Sequence, residues 1–122
     1  MIVDDDVRLA SVIARLLETQ GYEATAFSSQ FDALEAMRAE PSRFEIVLTD
    51  LTMPQMSLST FVIALRAISP GVPIVVSTGR PWDFNEAERA RLGVKEVLSK
   101  PWVLTDAIEA LQRALATRNT VH

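Results

Sequence analysis

Five polar residues, Asp4, Asp5, Asp50, Thr78 and Lys100, each follow a short apolar run that reads as a β-strand or stand at its last position. If the chain brings those strand ends together, three carboxylates share one crevice with a hydroxyl and an ammonium group. Carboxylates about 4 Å apart repel by roughly 4 kcal/mol per pair at an effective dielectric of 20, so they cannot all stay ionised without a cation or a proton. An all-oxygen donor set with neither His nor Cys suits Mg2+, with Mn2+ as the alternative. Mg2+ typically takes one or two carboxylates, keeps waters and binds a phosphoryl oxygen. The chemistry this points to is phosphoryl transfer onto a carboxylate. In it Asp50 is the acceptor, Asp5 the principal metal ligand and Asp4 a support for the metal or its waters. Lys100 is the fixed positive charge, and Thr78 is a hydroxyl donor to a phosphoryl oxygen.

The elements that must position these groups can be read from periodicity. Met1-Ile2-Val3 is the first strand, short against the usual five or so residues and therefore expected to be truncated at its start. Asp6 then caps a helix whose apolar stripe is Leu9, Val12, Ile13, Leu16 and Leu17, stopped by Gly21. Tyr22 to Phe27 is β-prone. Ser28-Ser29 offer caps for a helix over Gln30 to Ala39 with Ala33, Leu34 and Met37 inward, ended by Pro41. Ile46-Val47-Leu48 leads to Asp50, and Pro54 breaks the chain after it. Ser57 caps a third helix carrying Leu58, Phe61, Val62, Leu65 and Ile68, closed by Pro70-Gly71.

Pro73 to Ser77 is a continuous apolar strand followed by Thr78-Gly79. Beyond a loop with Arg80, Pro81 and Trp82 comes a short polar helix near Glu86 to Leu92 that can cover little core. Val94 to Leu98 is the last strand, ending at Ser99-Lys100-Pro101. A helix over about Thr105 to Ala116 follows, with Ala107, Ile108, Leu111 and Leu115 inward. Alternation of near-continuous apolar strands with helices requires a parallel sheet covered on both faces. The fold class is α/β, a flavodoxin-like doubly wound sheet of five parallel strands with five helices. In the order 2-1-3-4-5 the loops bearing Asp4, Asp5, Asp50, Thr78 and Lys100 converge at the switch point.

Composition narrows the function further. One domain fits in 122 residues, and 48% hydrophobic with 23% charged residues is ordinary for a globular domain. A net charge of −4 gives no general attraction to nucleic acid or anionic lipid. Cysteine is absent and His122 stands alone at the end, so disulfides, thiolate metal sites and zinc sites are excluded. No apolar stretch approaches the ~18 residues that span a bilayer. A cytoplasmic setting is expected, with no membrane contact by this domain and no direct nucleic-acid partner.

Four segments together, Ile2-Val3-Asp4-Asp5-Asp6, Leu48-Thr49-Asp50-Leu51-Thr52-Met53-Pro54, Val75-Val76-Ser77-Thr78-Gly79 and Leu98-Ser99-Lys100-Pro101, resemble in order and spacing the receiver domains of two-component response regulators, CheY among them. The resemblance spans essentially the whole chain. It implies a receiver domain over 1–117, with 118–122 a tail or linker stub, that takes a phosphoryl group from the phosphohistidine of a sensor histidine kinase or histidine phosphotransfer domain. It implies further that the main-chain carbonyl of Thr52 completes the metal shell and that Lys100-Pro101 is cis. Thr78-Gly79 and the stretch from Glu88 to Pro101 are similar to receivers joined to hybrid sensor histidine kinases, which makes other domains of a parent chain further partners.

Some positions depart from the family pattern. Val97 stands where an aromatic often changes rotamer on activation, and Ser57-Leu58 where Asp-Gly is common. Arg80, two residues past Thr78, could reach the phosphoryl site, and with Thr52 it is a candidate for tuning the lifetime of the aspartyl phosphate. The rival to a phosphorylated switch is a receiver-like docking module that phosphorylation does not switch, which Val97 favours. An aspartyl-phosphatase enzyme would need a second carboxylate two residues after Asp50; Thr52 cannot act as that acid. Trp82 and Trp102 are each either partner surface or half-buried with the indole N–H bonded.

Overall fold

A computed structural model describes residues 1–120, with side chains described through Ala116. The elements are β1 (Ile2–Val3), α1 (Val7–Glu18), β2 (Ala26–Phe27), α2 (Gln30–Ala39), β3 (Val47–Asp50), α3 (Leu58–Ile68), β4 (Ile74–Thr78), α4 (Glu86–Leu92), β5 (Val94–Ser99) and α5 (Leu104–Thr120), with one 3-10 turn at Pro81–Asp83 before α4. The strands form one parallel sheet in the order β2-β1-β3-β4-β5, as expected. The local signals lie where the sequence puts them. The side chains of Asp6, Ser29 and Ser57 accept from the main-chain N–H groups of Leu9, Asp32 and Thr60, and Gly93 ends α4 at φ 68°.

Two cores cover the two sheet faces. On one, α2, α3 and α4 lay Leu34, Met37, Phe61, Leu65 and Leu92 over Val3, Val47, Ile74 and Val76. On the other, α1 and α5 cover Ile2, Leu48, Val75 and Leu98. Burial of side chains such as Phe61 and Leu65, both fully inaccessible, contributes about 1.5–3 kcal/mol each.

The second face differs from the expected pattern. The buried residues of α1 are Ala10, Ile13, Ala14 and Leu17, while Val12 and Leu16 are 51% and 39% exposed. On α5 the buried residues are Ala107, Ala110, Leu111 and Ala114, with Ile108 half-buried. Alanines let both helices lie close to the sheet, and this rotates the longer side chains outward. The Tyr22 to Phe27 strand contracts to Ala26–Phe27 because β2 is an edge strand that pairs with β1, itself two residues long. The backbone of α5 continues through Thr120, past the expected end near Ala116; residues 121–122 of the expected tail, His122 among them, lie outside the described residues.

The far end of α3 is tied down by Arg66. Its guanidinium donates to the carbonyls of Leu92, Pro70, Val72 and Gly93 at 2.8–3.3 Å, joining the ends of α3 and α4 to the start of β4. Burial lowers its pKa below the ordinary arginine range.

Candidate functional site

The register of the sheet gathers the chemistry. Val3 pairs with Thr49, so Asp4 leaves β1 beside Asp50 at the end of β3; Asp50 in turn pairs with Ser77, and Thr78 with Ser99. Lys100 then donates its main-chain N–H to the Thr78 carbonyl at 2.8 Å, which extends the β4–β5 ladder one step. Residues as far apart as 4 and 100 meet because each follows the carboxyl end of an inner or adjoining strand.

Carboxylate oxygens of Asp4, Asp5 and Asp50 lie within 4.8 Å of one another. Asp4 is 4% exposed; its Oδ1 accepts from the main chain of Asp6 at 2.9 Å, and its Oδ2 is 3.3 Å from Lys100 Nζ. The same ammonium is 3.3 Å from Asp50 Oδ1. Asp5 is exposed. One lysine thus faces three carboxylates, and the uncompensated charge, presented by hard oxygen donors, fits a divalent ion of the Mg2+ or Mn2+ type. Asp4, Asp5 and Asp50 are the residues that could hold it.

Titration follows from the same arrangement. Burial raises the pKa of Asp50; Lys100 pulls it down, and Asp4 and Asp5 push it up, so the net direction is upward from 3.8. For Lys100 burial alone would lower the pKa, but the charges of Asp50 and Asp4 and the hydrogen bonds to both outweigh it, and the value rises above 10.5.

Thr78 is 4% exposed at the end of β4, and its Oγ1 accepts from the main-chain N–H of Arg80 at 3.0 Å. The Arg80 guanidinium points elsewhere: Nε is 2.7 Å from Asp83 Oδ2 and the group stacks 5.8 Å from the Trp82 ring. Thr52 is exposed on the connection after β3. Val97 is half-buried against the α2–α3–α4 core, in register with Val76. The Lys100–Pro101 bond is cis, as expected.

The two tryptophans differ in environment, and Trp102 meets the half-buried, hydrogen-bonded expectation. Trp82 is 71% exposed, while Trp102 is half-buried and donates Nε1–H to Ser77 Oγ at 2.9 Å. Ser77 sits directly between Asp50 and Thr78 in the chain's register, a position that sequence reasoning left without a role. Its partner is 25 residues away, and no local pattern marks it.

The family model described as response regulator receiver domain matches residues 1–112. The transcriptional regulatory protein ZraR of Salmonella typhimurium is 31% identical over 121 residues, 98% of this chain and 27% of that protein. The sensory transduction protein RegX3 of Mycolicibacterium smegmatis is 33% identical over 115 residues, 94% of this chain and 49% of its own length. The chain therefore spans between about a quarter and a half of these relatives. Among solved structures, the chemotaxis protein CheY4 of Vibrio cholerae superposes with a TM-score of 0.81 at 26% identity, over 93% of this chain and 94% of that one.

Proposed function

The chain belongs to the response regulator receiver family, and on that premise we propose that it accepts a phosphoryl group on Asp50 from the phosphohistidine of a sensor histidine kinase or histidine phosphotransfer domain, in a Mg2+-dependent reaction. The observation that carries this reading is the position of Lys100 Nζ, 3.3 Å from both Asp4 and Asp50, beside a third carboxylate. Three carboxylates beside one ammonium leave a net negative charge, and a hard divalent cation is what such an all-oxygen site would take up.

In the transfer, an Asp50 carboxylate oxygen attacks phosphorus in line with the donor nitrogen. The P–N bond breaks, its electron pair stays on the imidazole, and the product is an aspartyl phosphate. Asp5, Asp50 and the Thr52 carbonyl would hold the Mg2+, with Asp4 in support, and the ion would supply positive charge to the phosphoryl oxygens. Lys100 neutralises a further phosphoryl oxygen, a role for which a fixed ammonium already paired to Asp50 is suited. The Thr78 hydroxyl, an acceptor from Arg80 N–H, keeps its own proton for the phosphoryl group. Serving only its own phosphorylation and dephosphorylation, the domain is a regulator, switching a partner or an adjoining domain by a population shift.

Intact mass after incubation with a small acyl phosphate and Mg2+ tests the assignment. The wild type gains one phosphoryl group, and Asp50→Asn or excess EDTA prevents it. Equal gain in Asp50→Asn would overturn the assignment. Arg80 and Thr52 tune the lifetime of the product, Arg80 after leaving Asp83; unchanged dephosphorylation in both Arg80→Ala and Thr52→Ala would refute that role.

The aliphatic Val97 favours a second reading, a docking module that phosphate does not switch. Beryllofluoride with Mg2+ separates the two: chemical-shift changes reaching from Asp50 to α4 and β5 support the switch, and changes confined to the site support the module.

A further inference from the structure

The connection from β3 to α3 carries Thr52, and its course is set from outside by a reciprocal pair of glutamines. Gln30, the first residue of α2, is 1% exposed. Its side-chain Oε1 accepts from Met56 N–H at 3.0 Å and its Nε2 donates to the Met56 carbonyl at 3.2 Å. Gln55 reaches back: its Oε1 accepts from Gln30 N–H at 2.7 Å and its Nε2 donates to Ser29 Oγ at 3.2 Å. Only one orientation of the Gln30 amide satisfies both groups of Met56, so the assignment is fixed by the pairing itself.

A buried amide is a costly choice for a helix start. Left unpaired, its polar atoms would carry a full desolvation penalty, and an apolar side chain of the same length would fill the space but leave the Met56 main-chain groups unpaired. What the amide adds is a grip on both main-chain groups of one loop residue. At the other end of the loop, Leu51 N–H donates to the Ser77 carbonyl at 3.0 Å, and between the two anchors Met53 is 7% exposed in the core. The loop is therefore held at Leu51, Met53 and Gln55-Met56, and Thr52 lies between fixed points.

We propose that Gln30 is a positioning residue for the metal site: by clamping Met56 from α2 it fixes the backbone on which Thr52 presents its carbonyl. This rests on the reading of Asp50 as a metal-assisted phosphoacceptor. A loop that occupies the binding geometry for a fraction f of the time binds its ion with an apparent Kd larger by 1/f. Groups that orient metal ligands without touching the metal typically change affinity by about 10–100-fold when removed.

The test is a Mg2+ titration of the phosphate-free protein, followed by the amide chemical shifts of Asp5, Leu51 and Thr52, in wild type, Gln30→Met and Gln55→Ala. Each variant's melting temperature is measured in EDTA. Gln30→Met keeps the volume and removes both bonds to Met56. The Mg2+ Kd rises about tenfold or more in Gln30→Met and by a smaller factor in Gln55→Ala, well below both melting temperatures. A lowered melting temperature with an unchanged Kd in both variants means a purely structural clamp and overturns the proposal. Should Gln30→Met fail to fold, Gln55→Ala, altered at an exposed side chain, decides alone by the same criterion. A wild type whose shifts do not respond to Mg2+ sinks the phosphoacceptor reading, and the clamp's role with it.

Discussion

Replacing Asp50 by Asn should stabilise the metal-free protein and destabilise it relative to wild type once Mg2+ is added. With carboxylate oxygens of Asp4, Asp5 and Asp50 within 4.8 Å, each like-charge pair costs about 3.5 kcal/mol at an effective dielectric of 20. The attraction to Lys100 at 3.3 Å returns about 5 kcal/mol on the same scale. The amide removes two repulsions and one attraction, a balance of about 2 kcal/mol in its favour, and solvent around the exposed Asp5 reduces this to on the order of 1 kcal/mol. The direction agrees with the raised pKa of Asp50, whose first cause is burial: ionisation costs the fold stability, and the cost disappears as pH falls through the folded pKa.

For a domain of this length that corresponds to a melting temperature about 4 °C higher in EDTA at neutral pH. Mg2+ at a hundred times its Kd adds about 2.7 kcal/mol to the wild type and much less to Asp50→Asn, so the order inverts. Differential scanning calorimetry in EDTA and across a Mg2+ series reads both halves. A variant less stable than wild type in EDTA, or equal stabilisation of both by Mg2+, would refute the charge argument.

Other perturbations test the frame around the site. Because Lys100 titrates above 10.5 in the fold, its stabilising contribution is complete below the unfolded value and is lost as pH rises through the folded one. Urea unfolding on the alkaline side should show that loss in wild type and not in Lys100→Met. Gly93→Ala places a Cβ 3.1 Å from Arg66 Nη2 at a φ of 68°, and should cost about 1–2 kcal/mol in urea unfolding from backbone strain alone. Trp102→Phe removes the hydrogen bond to Ser77 and should cost about 1 kcal/mol by the same measurement.

Much of this was legible in the sequence because it is encoded locally. The bounds of α2, the caps at Asp6, Ser29 and Ser57 and the strand-end positions of Asp50 and Lys100 each depend on a few neighbouring residues. The order of the strands then brings Asp4 to Lys100. What escaped depends on contacts between distant segments. A helix stripe that contains Val12 and is flanked by Ala10 does not say which will face the sheet; Ala10 is buried and Val12 exposed. Gln30 reads as a polar helix start until Met56 is seen opposite it, and Arg66 as a surface cation until four carbonyls surround it. The preference of Arg80 for Asp83 is legible in their i,i+3 spacing, although nearness to Thr78 points Arg80 toward the phosphoryl site instead.

The contrast between the two indoles gives the molecule an optical gauge of its own. Trp82 stands in water beside a cation, whereas Trp102 is wedged at the end of β4 with its ring nitrogen engaged. A dissolved quencher reaches the first far more readily than the second, so the protected part of the emission comes from an indole bonded to the residue next to Thr78. Any rearrangement there is readable in unlabelled protein.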